Sequence, residues 1–191
     1  MSSYPVIITR RRTSRMTIRI TKDGQVRVSA PRLVPQAAVK AFIAQHEDWI
    51  EKSLSRVQKQ QQGREAFYSL LDISTSARRR EAVSRLKVIV DPLIERYSSQ
   101  MGVKPSGLRF SSAKTRWGSC NTKTRSVSLS LYLLLLPDWC IEHVVVHELA
   151  HLKVPNHSPK FYAVMDRHFP RWKEARKETR RLIKDSPERQ A

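Results

Sequence analysis

The sequence predicts an α+β fold, because strands and helices are clustered along the chain instead of alternating strictly. Two short stretches of alternating apolar and polar residues, 15–20 and 25–31, flank the turn residues Asp23 and Gly24 and indicate a β-hairpin. Longer stretches with apolar residues three and four positions apart indicate helices. We therefore expect small antiparallel sheets packed against helices.

The remaining elements follow the hairpin in a simple order. Helices are predicted over residues 37–60, 76–100, 138–151 and 171–184, and a short strand over 108–110 precedes a second hairpin made by TRWGSC and SVSLSL. Pro92 lies inside the second of these helices and is expected to kink or split it.

The polar stretch QKQQQGRE, which contains Gly63, indicates a break between two parts of the chain. We therefore predict an N-terminal hairpin-plus-helix subdomain at residues 1–57, a linker or loop at 58–75, and the main domain at 76–191. No internal repeat is visible.

Charge and composition restrict the compartment and the partners. The net charge of +19 arises from 36 Lys and Arg against 17 Asp and Glu, and it favours a polyanionic partner, although an ordinary solvated surface explains it equally well. Two cysteines, Cys120 and Cys140, are too few for a disulfide scaffold. The longest apolar run, LSLYLLLLP, is too short to cross a bilayer. A cytoplasmic protein with no membrane association is expected. The arginines predicted to contact nucleic acid or another polyanion are Arg10, Arg11, Arg12, Arg180 and Arg181.

The candidate metal ligands and the candidate catalytic base lie in the stretch VVVHELAHLKVPNHSPKFY. His147 and His151 lie four residues apart, so on a helix both imidazoles face one side and reach one metal ion. Glu148 lies about 100° further around the helix, where its carboxylate can take a proton from water activated by the metal. This spacing predicts a metal-dependent hydrolase.

A third histidine, His157, follows a predicted break in the helix. Pro155 disfavours helical geometry at Val154, so the helix is expected to end near Lys153. Asn156 tolerates the left-handed conformation and would allow a sharp reversal. Ser158 and Pro159 form a capping residue and first helical residue for the next helix, which fixes the position of His157. Three histidines with an open fourth position predict one catalytic Zn²⁺ per chain, held by His147, His151 and His157.

The spacing of the three histidines also matches the metzincin pattern, but Val154 stands where that pattern requires glycine. The stretches HELAHLKVPNHSPKFY and KTRWGSC instead resemble the YgjP-like branch of the SprT-type zinc metallopeptidases. The N-terminal RRTSRMTIRI, GQVRVSAP and DWI are similar to the same family, so the resemblance covers most of the chain.

The resemblance implies a zincin-like, specifically gluzincin-like, metallohydrolase domain with Glu148 as catalytic base. Two departures stand out: Phe161 is followed by Tyr162 where the family usually has tryptophan, and the segment 58–76 is shorter than expected. Candidates for stabilising the oxyanion or contacting substrate are Arg116, Tyr162 and His143, in that order.

Three function classes remain open. A zinc peptidase acting on peptide or protein substrates is favoured by the motif. The alternatives are a metal-dependent nucleotide (NTP) pyrophosphatase, an activity associated with part of the resembled family, and a DNA-associated protease recruited through its basic surface.

Overall fold

The computed structural model describes residues 4–185. The chain divides near Gln62 into two compact units, and each unit contains a three-stranded sheet. The class is α+β, as predicted. Among the helices of the described residues, none combines the length and the apolar character that crossing a bilayer requires.

The N-terminal sheet consists of β1 (Val6–Arg11), β2 (Thr17–Ile20) and β3 (Val26–Pro31), in the order β1-β3-β2. The antiparallel pairing of β2 with β3 confirms the predicted hairpin. β1 pairs in parallel with β3 and was not predicted, because its sequence VIITRR alternates poorly.

Two helices follow, α1 (Gln36–Gln45) and α2 (Glu47–Ser69). The single helix predicted over 37–60 is therefore wrong, since the chain breaks at His46 and then continues helical to Ser69. The prediction of a loop is wrong for residues 58–69. Gln, Lys, Arg, Glu and Ala are strong helix formers, and the single Gly63 costs only about 1 kcal/mol.

The C-terminal unit opens with α3 (Ser76–Met101), whose bounds agree with the prediction. Its first turn is capped by Thr75, whose side chain accepts a hydrogen bond from the backbone N–H of Arg78, and it ends at Gly102 in the left-handed conformation. Pro92 does not split the helix and lies on its exposed side.

The second sheet is formed by β4 (Gly107–Ser111), β5 (Gly118–Asn121) and β6 (Ser126–Ser130), in the order β4-β6-β5. β5 and β6 form the predicted hairpin. The sheet is mixed rather than purely antiparallel, because β4 pairs in parallel with β6.

A short 3-10 helix (Leu131–Leu135) leads into α4 (Asp138–Ala150), which is followed by α5 (Pro159–His168) and α6 (Trp172–Lys184). α4 is the central helix of the unit and packs against α3, α5, α6 and β5. α4 is buried in the core through Ile141, Val145 and Leu149, and its C-terminal end carries His147 and Glu148.

Candidate metal centre

The three predicted ligands lie together. One ligand atom from each of His147, His151 and His157 falls within 4.8 Å of the others, and the Nε2 atoms of His147 and His157 are 3.1 Å apart. Two N–H groups cannot point at each other at that distance, so at least one of these nitrogens presents a lone pair. Convergent imidazole nitrogens of this kind are the donor set of a catalytic zinc site.

Local backbone structure delivers the third histidine. α4 ends at Ala150, one residue before the predicted bound of 151 and three before the end expected near Lys153, and residues 151–153 form a turn. The backbone N–H groups of Lys153 and Val154 both donate to the carbonyl of Ala150, which closes this turn. Pro159 occupies the first turn of α5, as predicted, although the Ser158 side chain makes no capping hydrogen bond.

The expected left-handed conformation at Asn156 is wrong. Within residues 4–185 the one non-glycine residue with positive φ is Arg125, at 58°. The reversal after α4 is instead spread over the turn and the bends that follow it, so no single residue has to adopt a strained φ.

Phe161 forms the floor beneath the three imidazoles. Its ring is fully buried, and its centroid lies 4.9 Å from that of His147, 4.6 Å from that of His151 and 4.8 Å from that of His157. An aromatic ring in contact with all three ligands restricts their rotamers. Sequence reasoning identified Phe161 only as one of an aromatic pair.

The environment favours the neutral form of His147 and His151, which is the form that binds metal. Burial, followed by the charges of the neighbouring histidines and of Arg176, lowers the pKa of His147 to about 3. Burial also lowers the pKa of His151. The Nδ1 of His151 lies 3.3 Å from the carbonyl oxygen of Val154. Since a carbonyl only accepts, Nδ1 carries the proton and Nε2 keeps its lone pair. The residues therefore fit a bound metal ion.

Glu148 is buried beside this cluster. It is 6% exposed, and burial raises the pKa of its carboxyl to about 8 while the charge of Arg116 acts in the opposite direction. Gly118, at the start of β5, lies so close that a Cβ there would be 2.7 Å from the Cγ of Glu148. Sequence reasoning quoted the stretch around Gly118 but did not assign it this role.

A cleft of ≈ 480 Å³ adjoins the cluster. Two of the predicted substrate contacts, Tyr162 and His143, line it, whereas Arg116 is exposed nearby. The sequence did not identify several of the residues that line the cleft. For two of them, Trp172 and Arg176 on α6, the spacing of four residues could have indicated that they share one side of the helix. The lining residues that were missed are Trp117, Gly118, Val144, Trp172 and Arg176.

None of the five predicted polyanion contacts is among the described residues that line this cleft. The Arg10 guanidinium donates to the carbonyls of Pro31 and Val34, at 3.0 and 2.6 Å. Arg181 pairs with Glu178 and Asp185. Of the five arginines, the three for which the described residues show no such partner are Arg11, Arg12 and Arg180, and all three are exposed.

A buried glutamate between two histidines at the C-terminal end of one helix, with a third histidine from the following loop, defines a metallopeptidase type of site. The model of the family described as YgjP-like, metallopeptidase domain, matches residues 14–79 and 74–182. The chain belongs to this YgjP-like metallopeptidase family. It is therefore an enzyme of the peptidase class that uses a metal cofactor and acts on peptide or protein substrates.

Two solved structures are similar over half of the chain. The metallopeptidase zymogen abylysin of Pyrococcus abyssi is 28% identical, with a TM-score of 0.44, over 50% of this chain and 94% of its own. The metallopeptidase zymogen jannalysin of Methanocaldococcus jannaschii is 18% identical, with a TM-score of 0.45, over 49% of this chain and 96% of its own. No curated protein matches the chain. The family assignment rests on the family model alone.

Proposed function

We propose that the protein is a zinc-dependent peptidase that hydrolyses peptide bonds, with Zn²⁺ held by His147, His151 and His157 and with Glu148 as the catalytic base. One observation carries this proposal: the carboxylate of Glu148 and the imidazoles of His147 and His157 line the same cleft. A base and a ligand set that open into one cleft can act on the same substrate atom.

The carboxylate of Glu148 orients the attacking water, accepts its proton and passes that proton to the leaving nitrogen. The three histidines would hold the zinc ion, which when bound would supply Lewis-acid chemistry for polarising a carbonyl and lowering the pKa of water. The close contact with Gly118 and the buried position of Glu148 fix the direction of its carboxylate. A fixed base is what an efficient proton transfer requires.

β5 is the strand on which an extended substrate fits. In the order β4-β6-β5 it is an edge strand, paired with β6 alone within residues 4–185, and its first residue, Gly118, lines the cleft. A peptide that adds to this edge by backbone hydrogen bonds passes beside Glu148.

The developing oxyanion needs a donor from the protein as well. Arg116, Tyr162 and His143 remain the proposed residues, in that order. Arg116 is near enough for its charge to lower the pKa of Glu148. Tyr162 lies 6.4 Å from His157, measured between ring centroids, and His143 lies one helical turn before His147.

Two other functions, a nucleotide pyrophosphatase and a DNA-associated protease, are alternatives that the substrate comparison below distinguishes from a general peptidase. A nucleotide pyrophosphatase needs cations that bind several phosphates, and among the residues that line the cleft Arg176 is the single arginine or lysine. A DNA-associated protease would use the exposed basic residues Arg11, Arg12 and Arg180. Binding to DNA that weakens steeply with salt would support that role.

A cytoplasmic location, which the free thiols of Cys120 and Cys140 suit, also belongs to the proposal.

The experiment is a substrate comparison between the wild type and Glu148→Gln, with zinc content measured in both. The substrates are casein, nucleoside triphosphates and a DNA–protein adduct. We expect casein hydrolysis that Glu148→Gln lowers by at least about 1,000-fold, while the zinc content is retained. Glu95→Gln, on the exposed side of α3, is the matched control. Hydrolysis of triphosphates alone, or full activity in Glu148→Gln, would overturn the proposal.

A further inference from the structure

The cleft beside the candidate metal centre contains a feature that peptide hydrolysis itself does not require. Arg176 of α6 lines the cleft together with His147 and Glu148. A guanidinium in a substrate cleft attracts a negatively charged group. Because Arg176 lines the cleft, its guanidinium is open to a negatively charged group on a substrate.

Arg176 has no carboxylate partner within residues 4–185. The helical spacing explains why. Side chains three and four positions away share its side of α6, and these positions hold Trp172, Lys173, Thr179 and Arg180. The acidic residues of α6 are paired with other arginines, Glu174 with Arg171 and Glu178 with Arg181.

The wall next to Arg176 is rigid and aromatic. Trp172, one turn before it, stacks on Tyr162 with the ring centroids 5.0 Å apart and the planes at 24°. The indole N–H of Trp172 also donates to Asp166, at 2.7 Å. These two contacts hold the indole in place. Together with the buried Met165 they give an apolar surface that leads from the ligands to the guanidinium.

We propose that this part of the cleft is a subsite for a peptide carboxylate: the aromatic wall of Trp172 and Tyr162 contacts the apolar part of a substrate residue, and Arg176 binds its carboxylate. We call it the Arg176 subsite. A planar guanidinium binds a carboxylate through two parallel hydrogen bonds, which an amide cannot match. The proposal deepens the proposed function and rests on it.

The carboxylate has two possible sources that share this chemistry: the side chain of Asp or Glu next to the scissile bond, and the free C-terminus of a short peptide. Two matched peptide pairs separate them. In the first pair both termini are blocked and a Glu next to the scissile bond is replaced by Gln. In the second pair the sequence is neutral and the C-terminus is a free acid or an amide.

We expect the wild type to favour the carboxylate member of one pair by about tenfold to a hundredfold in kcat/KM, the range typical of a hydrogen-bonded charge. Arg176→Gln should reduce this ratio to about one, and Arg176→Lys should leave part of it. Lys177→Gln removes the same charge from the same helix outside the cleft, so it should keep the wild-type ratio. Equal rates within both pairs, or a ratio that survives in Arg176→Gln, would overturn the subsite.

A binding measurement separates failure of the subsite from failure of the proposed function. The Glu148→Gln variant is titrated with the same four peptides, labelled with a fluorophore, and binding is followed by anisotropy. A carboxylate preference in binding that Arg176→Gln removes supports the subsite even where no peptide is hydrolysed. Equal binding of all four peptides contradicts the subsite, whatever the activity of the wild type.

Discussion

Gly118 and Glu148 are in direct contact, with no room between them for a side chain. A Cβ atom at Gly118 would lie 2.7 Å from both Cγ and Oε1 of Glu148 and 2.9 Å from its Cδ. The first residue of β5 thus sets the position of the carboxylate proposed as the base, and it links the edge strand to the chemistry of α4.

Replacing Gly118 by alanine should displace the Glu148 carboxylate. We expect Gly118→Ala to lower kcat by at least about tenfold, since a displacement of about 1 Å in a catalytic group can cost 100-fold. The zinc content should be unchanged, because the three histidines are not in the clash. Peptidase kinetics with metal analysis measures both effects.

Gly107 is the matched control for this substitution. It begins β4 of the same sheet, and a Cβ there would meet nothing within 4 Å. Gly107→Ala should therefore keep wild-type kinetics. Equal activity of the two alanine variants would contradict the positioning role of Gly118.

Removal of the third histidine should weaken metal binding without unfolding the protein. His157 is exposed, and it lies between α4 and α5. We expect His157→Ala to lower zinc affinity by more than about 100-fold, because even the partners of metal ligands contribute about 10–100-fold. Competition with a chromogenic chelator measures the affinity, and circular dichroism checks the fold.

His168→Ala serves as the control for that experiment, because His168 ends α5 outside the ligand cluster. It should bind zinc as the wild type does. An unchanged affinity in His157→Ala would remove this residue from the ligand set.

The attachment of α4 to α3 should depend on Tyr97. Its hydroxyl donates to the carboxylate of Glu142 at 2.6 Å, and Arg96 bonds the same carboxylate. We expect Tyr97→Phe to lower the free energy of unfolding by about 1.5 kcal/mol, the scale of a hydrogen bond to a charged group. Urea denaturation measures this change.

The neighbouring Ser98→Ala gives the contrast. Its hydroxyl is buried and finds no hydrogen-bond partner among the described residues. Removing an unpaired buried polar group should leave the free energy of unfolding within about 0.5 kcal/mol of the wild type or raise it. A larger loss in Ser98→Ala than in Tyr97→Phe would contradict the role of the Tyr97–Glu142 bond.

Cys120 should be slow to alkylate at neutral pH. Burial, and then the charge of Glu148, raises the pKa of its thiol to about 11. A raised pKa keeps the thiol protonated, and only the thiolate reacts. At pH 8 we expect iodoacetamide to modify Cys120 on the order of 100-fold more slowly than glutathione, with a rate that rises up to about pH 11. Mass spectrometry at the peptide level follows the reaction, and a rate equal to that of glutathione would contradict the raised pKa.

Much of the C-terminal fold was predictable because its signals are local. The bounds of α3 follow from periodicity and capping residues, and the β5–β6 hairpin from alternation. The histidine cluster was predictable because its spacing of four encodes one side of a helix. The strand β1 and the parallel pairing of β4 were not predicted, since parallel pairing depends on distant residues and leaves no local signal.

The parts of the cleft that prediction missed come from contacts between distant elements. Gly118 reaches Glu148 only because β5 packs on α4, and Arg176 reaches the cleft only because α6 does. The position of Phe161 beneath three imidazoles depends on where α5 starts. Their sequence neighbourhoods are ordinary, so periodicity alone assigns these residues to a core or to a solvated face.

Stoichiometric reconstitution with zinc tests the proposed metallopeptidase activity most directly. Metal-stripped protein is titrated with Zn²⁺ while hydrolysis of a fluorogenic peptide is followed, and Glu148→Gln is titrated in parallel. We expect activity to rise linearly and to level off at one zinc per chain, with Glu148→Gln binding the same amount and remaining inactive. Hydrolysis that does not depend on zinc, or that persists in Glu148→Gln, would contradict the assignment of the three histidines and Glu148 as the catalytic centre.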